Sequence, residues 1–227
     1  MAVFVFDCSG TLMEYAGMPA AWSALYPQGF RAVADALCTA CTADDLAEAA
    51  ARLTAFNPRI TGREIEYLPA EMFATCLSHW PSPVDPQAAA EIFFRGLRLS
   101  PVLYPDSIPT LRRLQMHGHK TAVLTDLPSG MPDALFRADI APLLPYIDLY
   151  VSSGTCGFRK PNPAGLRQIA AHFSAAMEAL VFIGDEDKDA ATASRAGCSF
   201  LRIDRSGRGS AGCLHSLDAL CPTESSG

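Results

Sequence analysis

Three short, nearly uninterrupted apolar runs constrain what this chain of 227 residues folds into. They are AVFVF at 2–6, TAVLT at 121–125 and ALVFI at 179–183, and each stops at a polar, loop-forming segment. The runs are rich in β-branched and aromatic residues, and they lack the polar alternation of a strand with one solvated face. The sequence therefore predicts a parallel sheet that is buried on both faces.

Helical patterns separate these strands. Apolar residues recur at helical spacing in 108–118 and 163–173, and a further strand candidate lies at 146–153. This alternation predicts an α/β fold with a doubly wound parallel sheet. Ligands of such sheets bind beyond the carboxyl ends of the strands. We therefore expect one crevice to be lined by the residues at these ends, Asp7, Thr125 and Asp185.

The segment 14–98 breaks the alternation. It is rich in Ala, Leu and aromatic residues, contains no strand-like run and holds several helix-sized segments. We interpret it as an inserted all-helical module. The predicted domains are therefore an α/β core formed by 1–13 and 99–227, and a helical module formed by 14–98.

Charge and composition restrict the partners. The formal net charge is −6 and the basic residues are scattered, unlike the footprint of a nucleic-acid binder. The apolar stretch before Asp7 is too short for a signal peptide or a membrane span. We expect a cytoplasmic protein that binds a small-molecule substrate, without nucleic acid or membrane partners. The irregularly spaced cysteines are expected to be reduced, and the close pair Cys38 and Cys41 is assigned to helix packing.

Two strand ends carry groups suited to an anion. Asp7 begins the stretch DCSGT (7–11), in which the turn at Gly10 and Thr11 is predicted to direct backbone N–H groups to the anion. Thr125 offers a hydroxyl that can bond a phosphoryl oxygen. Taken singly, Asp7 and Thr125 are more typical of turn or helix caps.

Two further stretches carry charge. In GFRKPNP (157–163), the Pro-x-Pro after Lys160 extends the backbone and can direct the ammonium inward, while a solvated loop lysine is the alternative. In GDEDKD (184–189), the carboxylates repel one another unless a cation neutralises them, which favours Mg²⁺ bound through oxygen. The alternative is a solvated first turn of the next helix, where the helix dipole favours acidic residues.

The order of these stretches resembles the haloacid dehalogenase (HAD) superfamily. Its motifs are DxDGT, a Thr or Ser at a strand end, a Lys in a GxxKPxP context, and GDxxxD followed by an Ala-Gly pair. The matching residues here are DCSGT (7–11), Thr125, GFRKPNP (157–163), GDEDKD (184–189), and Ala196 with Gly197. The resemblance spans roughly 1–13 and 100–204, and the helical segment falls where this family carries a cap.

The resemblance implies a hydrolase of the phosphatase type. Asp7 would attack phosphorus to form an aspartyl-phosphate, while Thr125 and Lys160 would stabilise charge on the transferring group. Asp189 would orient Lys160 or a water molecule. The implied catalytic residues are Asp7, Ser9, Thr125, Lys160 and Asp189.

The resemblance also implies a cofactor and substrate contacts. Mg²⁺ would be held by Asp7, the backbone carbonyl of Ser9, and Asp185. The residues assigned to substrate binding are Gly10, Thr11, Asp126 and, by analogy with cap loops of the family, Arg63. A solvated surface arginine is the alternative for Arg63.

Ser9 departs from the family pattern, because most of its phosphatases have a second Asp here. A hydroxyl cannot protonate the leaving oxygen or activate water, work that contributes about 10² to 10⁴-fold. The sequence therefore predicts Mg²⁺-dependent phosphoryl transfer from a substrate that has a good leaving group or supplies its own acid.

Two alternatives remain open for the function. One is a haloacid-dehalogenase-type hydrolase, which does not need Asp185 as a metal ligand, and the other is a non-catalytic relative that binds a phosphorylated metabolite. A phosphonatase reaction is disfavoured because it needs a cap lysine, and 14–98 contains none. Neither the substrate nor the oligomeric state is predicted.

Overall fold

The computed structural model describes residues 1–37, 39–206 and 212–220. Cys38, one member of the close cysteine pair, lies outside these ranges. The cysteines within them are free thiols. None of the helices in the described chain combines the length and apolar character that a membrane crossing requires.

The strands of the described residues include the three apolar runs and four further segments of three or four residues. In chain order they are β1 Val3–Phe6, β2 Met13–Tyr15, β3 Pro101–Leu103, β4 Lys120–Thr125, β5 Leu149–Ser152, β6 Leu180–Gly184 and β7 Ser199–Arg202. The sequence did not predict β2, β3 or β7, and β2 pairs with β3. Predicted strand 146–153 is shorter in the structure, because Ala141–Tyr146 forms a 3₁₀ turn and Ser152 caps a helix.

Five strands form one parallel sheet in the order β5-β4-β1-β6-β7. In the central strand β1, Phe6 lies opposite Val123 of β4 on one side and Ile183 of β6 on the other. This register places the carboxyl ends of three strands side by side. The parallel α/β sheet predicted from the sequence is thus confirmed, and Asp7 follows its central strand.

Helices connect the strands. They are α1 Tyr26–Ala36, α2 Ala43–Ala55, α3 Pro58–Thr61, α4 Pro69–Leu77, α5 Pro86–Gly96, α6 Ser107–Met116, α7 Asp133–Asp139, α8 Ser153–Cys156, α9 Ala164–His172 and α10 Asp187–Ala196. Helices α6 and α9 confirm the periodic segments 108–118 and 163–173. Buried side chains of α9, including Leu166 and Ile169, pack on those of the sheet, including Val5 and Phe182.

Contacts divide the chain into two compact units. The first contains Met1–Glu14, Pro101–Asp126 and the described residues from Ile140 onward; the second contains Tyr15–Ser100 and Leu127–Asp139. The sequence analysis assigned 127–139 to the core, whereas here it groups with the helical unit. Its contacts explain the grouping: the hydroxyl of Ser129 donates to the carbonyl of Phe56 at 3.2 Å, and Tyr15 donates to Asp139 at 2.7 Å.

The second unit has an aromatic core. The ring of Phe93 lies 4.8 Å from that of Phe30 and 5.3 Å from that of Phe73, both in edge-to-face geometry. A Cβ on Gly29 would overlap the Phe93 ring, so α1 approaches α5 closely at this glycine. The apolar and aromatic composition of 14–98 thus forms a core of its own, with Trp80 also buried against it.

Candidate active site

Asp7 is held at the carboxyl end of the central strand. Its backbone N–H donates to the carbonyl of Ile183 at 2.8 Å, which extends the ladder between β1 and β6 by one residue. Its Oδ1 accepts a hydrogen bond from the N–H of Cys8 at 2.7 Å. Only 4% of Asp7 is exposed. The carboxylate is therefore fixed in a desolvated position at the point where ligands of parallel sheets bind.

Lys160 joins Asp7 to Asp189. Its ammonium lies 2.7 Å from Oδ1 of Asp7 and 2.6 Å from Oδ1 of Asp189. Asp189, in the first turn of α10, is itself fixed, because its Oδ2 accepts from the N–H of Glu186 at 2.9 Å. The structure thus brings together three of the predicted residues, and the inward orientation of Lys160 replaces the alternative of a solvated lysine.

The acidic residues of this site fit a hard divalent cation. Asp7, Asp185 and Asp189 each offer a carboxylate oxygen, and these atoms lie within 4.8 Å of one another. Oδ1 of Asp185 is buried and accepts no hydrogen bond from the described residues. Carboxylate oxygens without donors are ligands that Mg²⁺ accepts. Gly10, at φ +79°, lies against this group, since a Cβ there would overlap the carboxylate of Asp185.

Burial and mutual repulsion shift the titration of these groups. Burial raises the pKa of Asp7 to about 7, against the opposing effect of Lys160 and with a further contribution from Asp189. Burial also raises the pKa of Asp185 to about 6, assisted by Asp189 and Glu186. Lys160 shows the reverse balance: burial alone would lower its pKa, but the neighbouring carboxylates outweigh burial and raise it. Lys160 therefore stays charged.

Thr125 and Asp126 end the neighbouring strand β4. Thr125 is almost fully buried and lies opposite Ser152 of β5. Asp126 accepts from the backbone N–H of Lys160 at 3.0 Å, and its other oxygen lies 3.3 Å from the ammonium of Lys188. In this structure both oxygens of Asp126 are engaged by the protein. Asp126 therefore holds the loop that carries Lys160, and its predicted contact with substrate stays a prediction.

Lys188 is a residue of the site that the sequence analysis missed. Its ammonium lies between Asp126 and Glu186, and its positive charge opposes the rise in the pKa of Asp7 that burial causes. The sequence offers one signal for this residue, because Lys188 is the single basic residue among the carboxylates of GDEDKD. Its link to Asp126, however, depends on the pairing of distant strands.

The turn after Asp7 uses its own donors. The N–H of Gly10 donates to the carbonyl of Met13 at 2.8 Å, and that of Thr11 donates to Cys8 at 3.2 Å. These N–H groups were predicted to meet an anion, and here they close the turn. Thr11 is fully buried, with a hydroxyl that has no hydrogen-bond partner among the described residues. Ser9, by contrast, is exposed.

Arg63 belongs to the second unit, whereas the residues described above belong to the first. Its Nε donates to the carbonyl of Phe56 at 3.0 Å and its Nη1 to that of Ile65 at 2.7 Å. It also forms an ion pair with Glu66 at 2.9 Å and donates to the hydroxyl of Ser129 at 3.3 Å. The guanidinium thus forms hydrogen bonds that connect several segments of the second unit. Its role in substrate binding stays a prediction.

Comparison with known proteins gives relatives of phosphatase type. A phosphoglycolate phosphatase of Cereibacter sphaeroides is 32% identical over 98 residues, which cover 43% of this chain and 43% of that protein. A phosphoserine phosphatase of Thermus thermophilus is 34% identical over 127 residues, covering 55% of this chain and 49% of that protein. The chain thus spans about half the length of the curated relatives it matches.

The fold is similar to that of solved structures over nearly the whole chain. A 2-haloacid dehalogenase from Pseudomonas syringae pv. Tomato superposes with a TM-score of 0.68 at 21% identity, covering 97% of this chain and 96% of that one. The model of the haloacid dehalogenase-like hydrolase family matches residues 1–197. That range contains each of the four motifs recognised in the sequence, so the predicted family is confirmed. The chain belongs to the haloacid dehalogenase-like hydrolases.

Proposed function

We propose that this protein is a Mg²⁺-dependent phosphoryl-transfer hydrolase that acts on a small phosphorylated metabolite through an aspartyl-phosphate on Asp7. The observation that carries the proposal is the ammonium of Lys160 between Asp7 and Asp189, with a free carboxylate oxygen of Asp185 beside them. A single ammonium shared by two buried carboxylates leaves negative charge that a metal ion would neutralise.

The first step forms a bond between Asp7 and phosphorus. Oδ1 of Asp7 is engaged by Cys8 and Lys160, so we assign the attack to Oδ2. Oδ2 donates an electron pair to phosphorus while the bond to the leaving oxygen breaks, and the leaving oxygen takes that pair. We assign to Lys160 and the hydroxyl of Thr125 the stabilisation of the charge that develops on the phosphoryl oxygens, an electrostatic role suited to preorganised buried groups.

The second step returns Asp7 to its starting state. A water oxygen attacks phosphorus, the bond to Asp7 breaks with its electron pair returning to the carboxylate, and inorganic phosphate leaves. A proton from the water passes to solvent, since Ser9 offers no base. The same lack of an acid at Ser9 in the first step favours leaving groups that depart as stable anions, such as acyl phosphates.

Mg²⁺ fits the donor set of this site. The residues that would hold it are Asp7 and Asp185 through carboxylate oxygens and Ser9 through its carbonyl. When bound, it would polarise a phosphoryl oxygen and offset the negative charge of the carboxylates. The named relatives act on phosphoglycolate and phosphoserine, which supports a small anionic organophosphate as the substrate class.

A second candidate is halide displacement from a 2-haloacid through the same Asp7. The neutral Ser9 favours this candidate, because that reaction tolerates a residue without an acid there. Asp185 counts against it, because halide displacement needs no metal ligand at this position. A protein that binds a phosphorylated metabolite without turnover is the third candidate. Both are distinguished from phosphoryl transfer by the same experiment.

The experiment compares acetyl phosphate, p-nitrophenyl phosphate and 2-chloropropionate as substrates, each with Mg²⁺ and with EDTA. Native protein is expected to release phosphate from the first two with Mg²⁺ only, and Asp7→Asn to release none. Rapid acid quench with ³²P-labelled acetyl phosphate is expected to trap label on native protein alone. Chloride release without phosphate release would establish the second candidate, and saturable phosphate binding without any turnover would establish the third.

A further inference from the structure

Arg205 contacts the turn that follows the proposed nucleophile. Its Nε and Nη2 both donate to the backbone carbonyl of Thr11, at 3.2 and 2.5 Å. Its Nη1 lies 2.7 Å from a carboxylate oxygen of Asp106, and the guanidinium lies 4.2 Å from the ring centre of Tyr104. A planar fork with three such neighbours has one orientation, so the Thr11 carbonyl is bound in a fixed direction.

Arg202 makes the equivalent contact on the other acidic loop. Its Nη1 donates to the backbone carbonyl of Asp185 at 2.7 Å, and its Nη2 lies 2.5 Å from Asp187. It ends β7, three residues before Arg205, and lies opposite Gly184 in the sheet. Two arginines from one segment thus bind one backbone carbonyl in each of the two loops that carry the acids.

These two loops are in tight contact with each other. Gly10 packs so closely on the carboxylate of Asp185 that a Cβ would overlap it. A displacement of the turn at Thr11 by a few tenths of an ångström would therefore displace Asp185 or open a gap beside it. The turn is bonded to Cys8, next to Asp7, so the same displacement reaches the nucleophile.

Residues 216 and 217 fix the carboxylate that pairs with Arg205. The oxygen of Asp106 that pairs with Arg205 also accepts from the hydroxyl of Ser216 at 2.8 Å and from the N–H of Leu217 at 2.9 Å. Ser216, Leu217 and both arginines lie outside residues 1–197, the range that matches the family model, and Asp106 lies within it.

From these contacts we infer that Arg202 and Arg205 are positioning residues that set the spacing of Asp7 and Asp185, and hence the affinity of the site for Mg²⁺. The inference rests on the proposed function, because it assumes that these acids hold the metal. Neither arginine touches a carboxylate of the site. They act through the backbone, in the way that partners behind metal ligands fix ligand geometry.

The test measures Mg²⁺ binding directly, by calorimetric titration of metal-free protein, with thermal unfolding of the same samples. Arg205→Met and Arg202→Met are each expected to weaken Mg²⁺ binding about tenfold or more. Arg205→Lys, which keeps the charge beside Asp106 but not the fork, is expected to recover binding in part. Arg113→Met is the matched control, since Arg113 pairs with Asp218 and touches neither acidic loop.

The outcomes distinguish failure of the positioning role from failure of the proposed function. Native protein that binds Mg²⁺, with Arg113→Met unchanged and both other methionine variants weakened, supports the inference. Equal Mg²⁺ affinity in native protein, Arg202→Met and Arg205→Met would overturn the inference while leaving the proposed function intact, even if the variants unfold at lower temperature. Asp185→Asn is the negative control and is expected to bind no Mg²⁺. If native protein also binds no Mg²⁺, both the inference and the proposed function are overturned.

Discussion

The ammonium of Lys160 lies 2.6 Å from a carboxylate oxygen of Asp189, and both side chains are withdrawn from solvent. A buried ion pair of this kind contributes little net stability, because the desolvation of both groups offsets their attraction. Here the same ammonium also lies 2.7 Å from Asp7, so it is shared by two carboxylates. The arrangement holds excess negative charge at the end of the central strand.

Replacement of Lys160 is therefore expected to leave the negative charge of Asp7 and Asp189 without a neutralising partner. Lys160→Met leaves Asp7 and Asp189 without their shared cation, and we expect it to lower the free energy of unfolding by about 3 to 5 kcal/mol in EDTA. Mg²⁺ should restore much of the loss, since it supplies positive charge to the same carboxylates. Urea unfolding with EDTA and with saturating Mg²⁺ measures both values. An equal loss in the two conditions would argue against a metal at this site.

Gly10 is expected to matter for the metal more than for the fold. Gly10→Ala places a methyl group against Asp185, at a φ of +79°. Gly118→Ala is the matched control, because Gly118 has φ +75° and nothing within 4 Å of an added Cβ. Both variants should lose about 1 to 2 kcal/mol from the left-handed backbone, but only Gly10→Ala should lose Mg²⁺ affinity and kcat/KM by tenfold or more. Similar Mg²⁺ affinities would contradict the close packing of the two loops.

Ser9→Asp should convert the substrate preference of the enzyme. Ser9 is exposed, so a carboxyl fits there without displacing a core side chain. We expect kcat on an alkyl phosphate such as phosphoserine to rise by about 10² to 10⁴-fold, and kcat on acetyl phosphate to change little, because only the alkoxide needs a proton. Steady-state kinetics on both substrates tests this. Ser9→Asn is the control, because asparagine has the shape of aspartate without its acid, and it should show no gain in kcat on the alkyl phosphate.

The central sheet was predictable because its signal is local. Strands β1, β4 and β6 are buried on both faces, and their continuous apolar runs appear directly in the sequence. Strands β2 and β3 have three residues each, and β3 is largely exposed, so no apolar run marks them. Their pairing joins positions that are far apart in sequence.

The sequence predicted the acidic residues and the lysine of the site, but not the residues that hold them in place. Asp7, Lys160 and Asp189 lie in stretches with a recognisable order, and the structure brings them together. The bonds from Asp126 to the Lys160 backbone and from Arg205 to the Thr11 carbonyl involve backbone atoms. A backbone carbonyl or N–H carries no residue type, so such partners leave no pattern in a single sequence.

Arg63 offers a direct contrast between a structural and a substrate-binding role. Its ion pair with Glu66 has both side chains less than 10% exposed, and removal of one partner from such a pair costs about 3 to 5 kcal/mol. We expect Arg63→Met to lower the free energy of unfolding on that scale. Arg63→Lys should keep part of the stability, and KM measured with it distinguishes the roles. An unchanged KM assigns Arg63 to the fold, whereas a KM raised tenfold assigns it to the substrate.

Asp148 is expected to give the protein part of its resistance to acid. Burial alone would raise the pKa of this carboxyl, but hydrogen bonds from the backbone and hydroxyl of Thr121 and the ammonium of Lys120 outweigh burial and lower it. A carboxyl whose pKa is lower in the folded state stabilises the fold above its unfolded pKa of about 3.9. That contribution disappears as the pH falls through the folded pKa.

Urea unfolding of native protein and Asp148→Asn at several pH values measures the contribution of Asp148. We expect Asp148→Asn to be the less stable protein at pH 7, and the difference to narrow below about pH 4, where the native carboxyl takes up its proton. Lys120→Met should cost less than Asp148→Asn, because Lys120 is 42% exposed and the bonds to Thr121 remain. A difference between native protein and Asp148→Asn that stays constant down to pH 3 would show that packing, rather than charge, is what the substitution removes.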